Sequence, residues 1–163
     1  MVKYEVKVKI NAPAAEVCRL AASPEYAEWE AQNEGAVSAK ATVRDRSGAR
    51  LTLVIDRTDY SRGPGGMKTS KTERSVITQQ WDLDAMSNTW NCRVPGPLEK
   101  LVDIHGVMKI TAQGDSACVM SEQGSVTIKA PIIGKVVEKS IAADIQRDFP
   151  KKAKFFEQKL GGG

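Results

Sequence analysis

From Val2 to Ile10 the even positions are apolar (Val2, Tyr4, Val6, Val8, Ile10), while Lys3, Glu5, Lys7 and Lys9 take the odd ones. This is the period-two pattern of a strand with one buried face. At the other end, Pro131 to Leu160 carries Ile133, Val137, Ile141, Ile145, Phe149, Ala153, Phe156 and Leu160 at helical spacing, enough chain for about 45 Å of helix. Almost everything between is strand-like. One long helix must bury its stripe on one sheet, so the pattern predicts an α+β protein whose sheet curls around a C-terminal helix, a shape that encloses a pocket.

The chain between these ends divides at its turn residues. Asn11-Ala12-Pro13 opens a short helix, Ala14 to Ala22, with Asn11 or Ala12 at the cap and Val17, Leu20 and Ala21 on one side. Ser23 caps a second short helix through Tyr26 and Trp29, and Gly35 lies beyond its end. Val37 to Arg46 and Arg50 to Thr58 flank Ser47-Gly48, a two-residue hairpin signal. Arg62-Gly63-Pro64-Gly65-Gly66 is followed by a strand-like segment, not by the helix start that a phosphate-cradling loop requires, and it reads as a mobile hairpin loop. Thr72 to Leu83, Ser87 to Val94, Val102 to Ala112 and Ser116 to Lys129 complete seven strands, whose short connections predict an antiparallel meander. One domain is expected over residues 1–160, with Gly161 to Gly163 a frayed tail. A strict i+4 series drifts by about 40° per step, so the long helix either crosses a twisted sheet obliquely or bends at Pro150.

Composition narrows the function classes. With 163 residues, 41% hydrophobic and 27% charged, the chain has the balance of a soluble globular protein that can build a core without staples. It has no apolar run long enough to span a membrane, and its start goes straight into a strand, so a cytoplasmic location is expected. Cys18, Cys92 and Cys118 are odd in number and widely spaced, which fits buried small hydrophobes better than disulfides or a zinc set. The net charge of +4 is spread along the chain and does not form the concentrated basic face that nucleic acid requires. Lys151, Lys152 and Lys154 read as a solvated, dipole-matched face in the last helical turns; a membrane-surface role beside Phe155 and Phe156 is the rival reading.

Candidate chemistry is sparse. His105 is the single histidine, and alternation places it outward with Asp103, Val107 and Lys109, while Ile104, Gly106, Met108 and Ile110 face inward. No metal or cofactor is called for. Glu122 stands out: Cys118, Met120, Gly124, Val126 and Ile128 form one apolar face of the last strand, and Glu122 falls on it. A carboxylate there either sits in a functional cavity with a partner or a raised pKa, or is turned outward by a bulge near Gly124. Trp81 and Trp90 are inward candidates; the register that puts Trp90 inside leaves Arg93 in solvent, and the opposite register would offer Arg93 to Glu122. Met67, Met86, Met108 and Met120 suit an adaptable lining. The residues expected to line a ligand site are Trp90, Ile104, Met108, Met120 and Glu122 on strands, with Val137, Ile141 and Ile145 on the helix.

Several stretches resemble a known superfamily. Val6 to Val17, a strand ending in Asn11-Ala12-Pro13 before a helix with Val17, is similar to the entry motif of the START-like or SRPBCC helix-grip superfamily, which includes birch-pollen-allergen-like and polyketide-cyclase-like proteins. Trp29 follows the second helix as in many members, and Gly124 to Lys139, with its Pro131-Ile132-Ile133-Gly134 step, resembles the strand-to-helix passage of an uncharacterised bacterial branch. The order of elements agrees over essentially the whole chain. The resemblance implies a seven-stranded sheet gripping the C-terminal helix around a cavity for a lipid, sterol or polyketide-like molecule; fold alone does not set function. The glycine-rich loop of the pollen-allergen group lies between its second and third strands, where this chain has only Ser47-Gly48. The expected function is non-catalytic binding or transport of a hydrophobic small molecule, with no cofactor, no nucleic-acid partner and the oligomeric state open. The alternative is a cyclase or hydratase using Glu122 as general acid/base, with Arg93 or Tyr60 orienting the substrate. A third reading has Phe155, Phe156 and the lysines docking a partner.

Overall fold

The computed structural model describes residues 1–161; of the expected frayed tail, residues 162 and 163 lie outside them. Strand β1 (Val2–Ile10) is followed by helices α1 (Ala14–Ala21) and α2 (Pro24–Asn33). Six strands then run in succession: β2 (Ser38–Ser47), β3 (Arg50–Arg62), β4 (Lys68–Asp82), β5 (Ser87–Arg93), β6 (Val102–Gln113) and β7 (Ala117–Ile128). Helix α3 (Gly134–Asp148), a 3-10 turn at Phe149–Lys151 and helix α4 (Lys152–Leu160) close the chain. The sheet is antiparallel in the order β1-β7-β6-β5-β4-β3-β2. Strands β2 to β7 form the expected meander, and β1 pairs with the last strand. No helix among the described residues is long and apolar enough to cross a membrane.

Local chemistry explains the departures from the expected elements. Pro150 supplies no backbone donor, so the C-terminal helix breaks there into a 3-10 turn and resumes as α4. Pro13, not Asn11 or Ala12, is the N-cap of α1, and no side chain caps it. Ser23 caps α2 as expected, its Oγ accepting from the Tyr26 N–H at 3.2 Å. The β2–β3 turn is Gly48-Ala49, one residue later than the sequence signal, with Gly48 at φ +58°. The glycine-rich loop joins β3 to β4 and is tied to α3: Arg62 donates to Ser140 Oγ at 2.6 Å and to Asp144.

Burial corrects the reading of the C-terminal end. Phe155 and Phe156 are inside, packed at tilted angles against Tyr26 and Trp29 with centroids 4.6 Å (Phe155 to Trp29) and 4.7 Å (Phe156 to Tyr26) apart. The docking surface imagined there does not exist. Lys152 is not on a solvated face; it is 5% exposed and donates to Glu30 at 2.7 Å. Helical spacing puts it on the same side as Phe149 and Phe156, and the bend turns that side inward. Lys151 and Lys154 do stay exposed. Cys18 and Cys118 are buried and Cys92 half-buried, all three as free thiols.

The core falls into three clusters. The largest gathers Ile10, Val17, Tyr26, Trp81, Met120, Phe149 and Phe156 where α1, α2 and α4 meet the sheet. A second holds Ala27, Ala41, Leu53 and Ile55. A third joins Tyr4 and Val126 of the sheet to Ala142 of α3, with Ile141 and Ile145 of the same helix packed against the cluster. Space remains where one helix faces so wide a curved sheet.

Candidate functional site

That space is a cavity of about 400 Å³ between the concave face of the sheet and α3, within the size range of small-molecule sites. Its floor is set by register. One inward row crosses the sheet as Val6, Glu122, Met108, Asn88, Trp81 and Leu51. The next runs Tyr4, Gly124, Gly106, Trp90, Gln79 and Leu53, and a third Val2, Val126, Ile104, Cys92, Ile77 and Ile55. In the middle row two glycines pair across β6 and β7, each under an aromatic ring. A Cβ on Gly124 would stand 2.3 Å from the Tyr4 ring, and one on Gly106 would stand 2.8 Å from the Trp90 ring. Both rings can lie across the floor only because these positions lack a side chain.

All eight residues expected at a ligand site line the cavity: Trp90, Ile104, Met108, Met120 and Glu122 from the sheet, Val137, Ile141 and Ile145 from α3. The register that puts Trp90 inside therefore holds, and Arg93 is outside, donating to Glu99 at 3.2 Å. Arg93 cannot serve Glu122 or orient a substrate in the cavity. Tyr60 lines the cavity at its mouth and is half in solvent. His105 is exposed beside Asp103, at 3.0 Å. Of the four methionines, Met108 and Met120 line the cavity, whereas Met67 is exposed and Met86 sits in the turn before β5 at φ +52°.

Glu122 is inside, with no bulge between β7 and either neighbour. The Tyr4 hydroxyl donates to its Oε2 at 2.7 Å. Burial pushes its carboxyl up to about 7, against the attraction of Lys152. The Tyr4 hydroxyl is itself driven well above the ordinary tyrosine range, by burial and by the Glu122 charge.

Beside this pair lies a buried charge network that sequence reasoning missed. Glu30 Oε2 accepts from Lys152 Nζ at 2.7 Å and from the Tyr26 hydroxyl at 2.8 Å. Burial works against the Glu30 charge, but Lys152 outweighs it and holds the carboxyl below its usual value. Burial likewise opposes the Lys152 charge and is outweighed by Glu30, Glu122 and Glu34, so the ammonium is held more tightly than usual. Arg57 forks between Glu34 at 2.7 Å and Asp59 at 2.7 and 2.8 Å. Alternation did place Tyr4 inward, and the spacing of Tyr26 and Glu30 fits one helix turn. Nothing local marked Lys152 as their partner, because it arrives from the far end of the chain.

Two polar atoms of the lining have no hydrogen-bond partner among the described residues: the buried Trp90 Nε1 and Asn88 Oδ1. They belong to adjacent inward positions of β5, and Asn88 lies in the row of Glu122, two strands and about 10 Å away. Asn88 shares the parity of Trp90 and Cys92, the one sequence signal that could have found it. Both atoms are closed off from the cavity by their surroundings, so the Tyr4–Glu122 pair farther along the floor is the polar point beside its apolar walls. No group of three or more His, Cys, Asp or Glu that could hold a metal ion occurs among the described residues.

Comparison with known proteins agrees on the fold. Residues 5–160 match the family described as "Protein of unknown function (DUF2505)". No curated protein matches. Among solved structures, the Zhui aromatase/cyclase from Streptomyces sp. R1128 superposes with a TM-score of 0.64 at 10% identity, over 99% of this chain and 98% of its own. A protein from Thermus thermophilus does so at 0.63 and 18%, over 96% and 95%. Norcoclaurine synthase from Thalictrum flavum gives 0.61 and 14%, over 95% and 85%. The architecture is the START-like helix-grip fold.

Proposed function

We propose that this chain, which belongs to the DUF2505 family, binds a hydrophobic or amphipathic small molecule of lipid, sterol or polyketide type in the cavity under α3 and carries it unchanged. The observation that supports this most is the cavity itself, about 400 Å³ with the Tyr4–Glu122 pair on its floor. A hydroxyl or carbonyl on a ligand would find a polar partner in that pair. The walls favour an apolar body: Ile104, Met108, Met120, Val137, Ile141 and Ile145 surround the same space. The test is solvent extraction and mass spectrometry of the purified protein, paired with displacement of a fluorescent fatty acid. A copurifying or displacing apolar compound carrying an oxygen function is expected. A protein that yields no compound and takes up no probe would overturn the reading.

A second reading is favoured by Glu122 itself. A carboxyl that titrates near 7 and is held by the Tyr4 hydroxyl at 2.7 Å has the properties of a general acid/base at neutral pH. The same cavity would then host a cyclase- or hydratase-type reaction; an aromatase/cyclase is among the proteins that share this fold. In that case Glu122→Gln abolishes turnover of a compound that the cavity still binds; retained turnover would reject the reading.

A further inference from the structure

Large apolar side chains rarely stand free on a soluble surface in one group. Here six of the eleven that are exposed among the described residues collect around one end of the cavity: Met67, Leu98, Leu101, Ile132, Ile133 and Val136. They come from three connections. Leu98 and Leu101 belong to the β5–β6 loop, and Ile132 and Ile133 to the β7–α3 turn, with Val136 in the first turn of α3. The Lys129 N–H donates to the Leu101 carbonyl at 2.7 Å, which joins the first two segments. Met67 sits in the glycine-rich loop that Arg62 ties to α3. Leu98, Leu101 and Ile133 also line the cavity, so this group is the rim of its mouth.

Ile132 is the apex of the rim. It is 96% exposed and has φ +70°, a backbone region that a β-branched residue adopts only at a cost. The backbone of Gly134 is pressed so closely on the end of β7 that a Cβ there would stand 2.3 Å from the Ile128 carbonyl. Helix α3 thus begins almost directly off the strand, and the residues between are thrown outward. Asparagine or glycine would fit that apex with less strain, yet isoleucine occupies it with its side chain in solvent. The same segments carry Lys100, Lys129, Lys135 and Lys139, all exposed. Their acidic neighbours are fewer: Glu99 is paired with Arg93, Glu138 is buried against the Ile128 N–H, and Asp103 lies beside His105 on the outer face.

We propose that this rim docks on an anionic lipid bilayer, with Ile132 inserted below the headgroups and the four lysines at the level of the phosphates, so that the cavity mouth opens onto the membrane. Apolar anchors ringed by lysines are what such a surface requires. The inference concerns the mouth alone and needs no particular cavity occupant.

The test is flotation of the protein with vesicles of phosphatidylcholine alone and of phosphatidylcholine mixed with phosphatidylglycerol. Binding to the mixed vesicles is expected, weakening as salt rises. Ile132→Asn suits the left-handed backbone, so it preserves folding while lowering vesicle partitioning about tenfold or more. The paired change Lys100→Glu and Lys135→Glu is expected to abolish the preference for anionic vesicles. Val107→Thr, an exposed apolar position on the outer face of β6, is expected to change nothing. Absence of binding to either vesicle, or binding indifferent to Ile132→Asn in the folded protein, would overturn the proposal. So would a dimer in solution that Ile132→Asn dissociates, since the rim would then be covered by a second copy. Because vesicle binding is read without any cavity ligand, failure here leaves the cavity reading standing, and an unliganded cavity leaves docking standing.

Discussion

Replacing Glu122 by Gln should make the protein more stable at pH 8 and leave it unchanged at pH 4. The carboxyl titrates near 4.5 in the unfolded chain and near 7 in the folded one, chiefly because burial opposes its charge. Between those values the folded protein holds a proton that the unfolded chain has released, so stability falls as pH rises through the window and the loss is complete above about 7. At about 1.4 kcal/mol per pH unit, the displacement from 4.5 to about 7 corresponds to roughly 3 kcal/mol. The amide keeps the acceptor for the Tyr4 hydroxyl and carries no charge at any pH. The two proteins should therefore match near pH 4 and below, where Glu122 is protonated in both the folded and the unfolded state, and diverge by about 3 kcal/mol at pH 8, roughly 6–12 °C in Tm for a domain of this size. Urea unfolding of both proteins at half-unit pH steps measures the divergence. Asp148 also titrates abnormally, but it is common to both proteins and its pH dependence cancels in the difference; Glu30 and Glu34 repel the Glu122 charge, and their effect is part of the displacement being measured. Equal stability at pH 8, or a difference that does not grow with pH, would refute the placement of a desolvated, titrating carboxyl on the cavity floor.

Two further predictions concern the polar lining. Lys152→Met leaves Glu30 buried without its cation and should destabilise by about 3–5 kcal/mol, whereas Lys152→Met combined with Glu30→Gln should recover most of that loss; chemical denaturation at pH 7 measures both, and equal losses in single and double variants would contradict the pairing at 2.7 Å. Trp90→Phe withdraws part of the ring that covers Gly106 on the cavity floor, so the variant should lose about 1 kcal/mol of stability and its affinity for the displacing compound should fall severalfold; an unchanged affinity would show that the ring is not part of the binding surface.

The alternation of apolar residues in β1, β6 and β7 was enough to place Tyr4, Ile104, Met108, Met120 and Glu122 on one face, because strand parity is local and a register slip would turn each core residue into solvent. On β5 the two parities were harder to separate, since Trp90, Cys92 and Arg93 alone do not say which side is buried. Pairing with Gly106 decided it, for only a residue without a side chain leaves room there for the indole ring. The same limit explains Lys152. Its charge argued for solvent, and only the bend at Pro150, which brings α4 back against α2 and sets Lys152 on Glu30, offsets the cost of burying it.

The sequence by itself determined the order and kind of the elements, the antiparallel meander, the cap at Ser23, the break at Pro150 as one of two outcomes, and the apolar walls of a pocket, all of which follow from periodicity and turn chemistry within short windows. Tertiary structure alone decided which polar groups share the interior and which apolar groups are left outside it. The Tyr4–Glu122 and Glu30–Lys152 pairs join residues more than a hundred positions apart, and the exposed rim at Ile132 exists because Gly134 packs on the end of β7. Burial, charge pairing and desolvation depend on what closes over a residue, and in this fold the closing element is the last to leave the sequence.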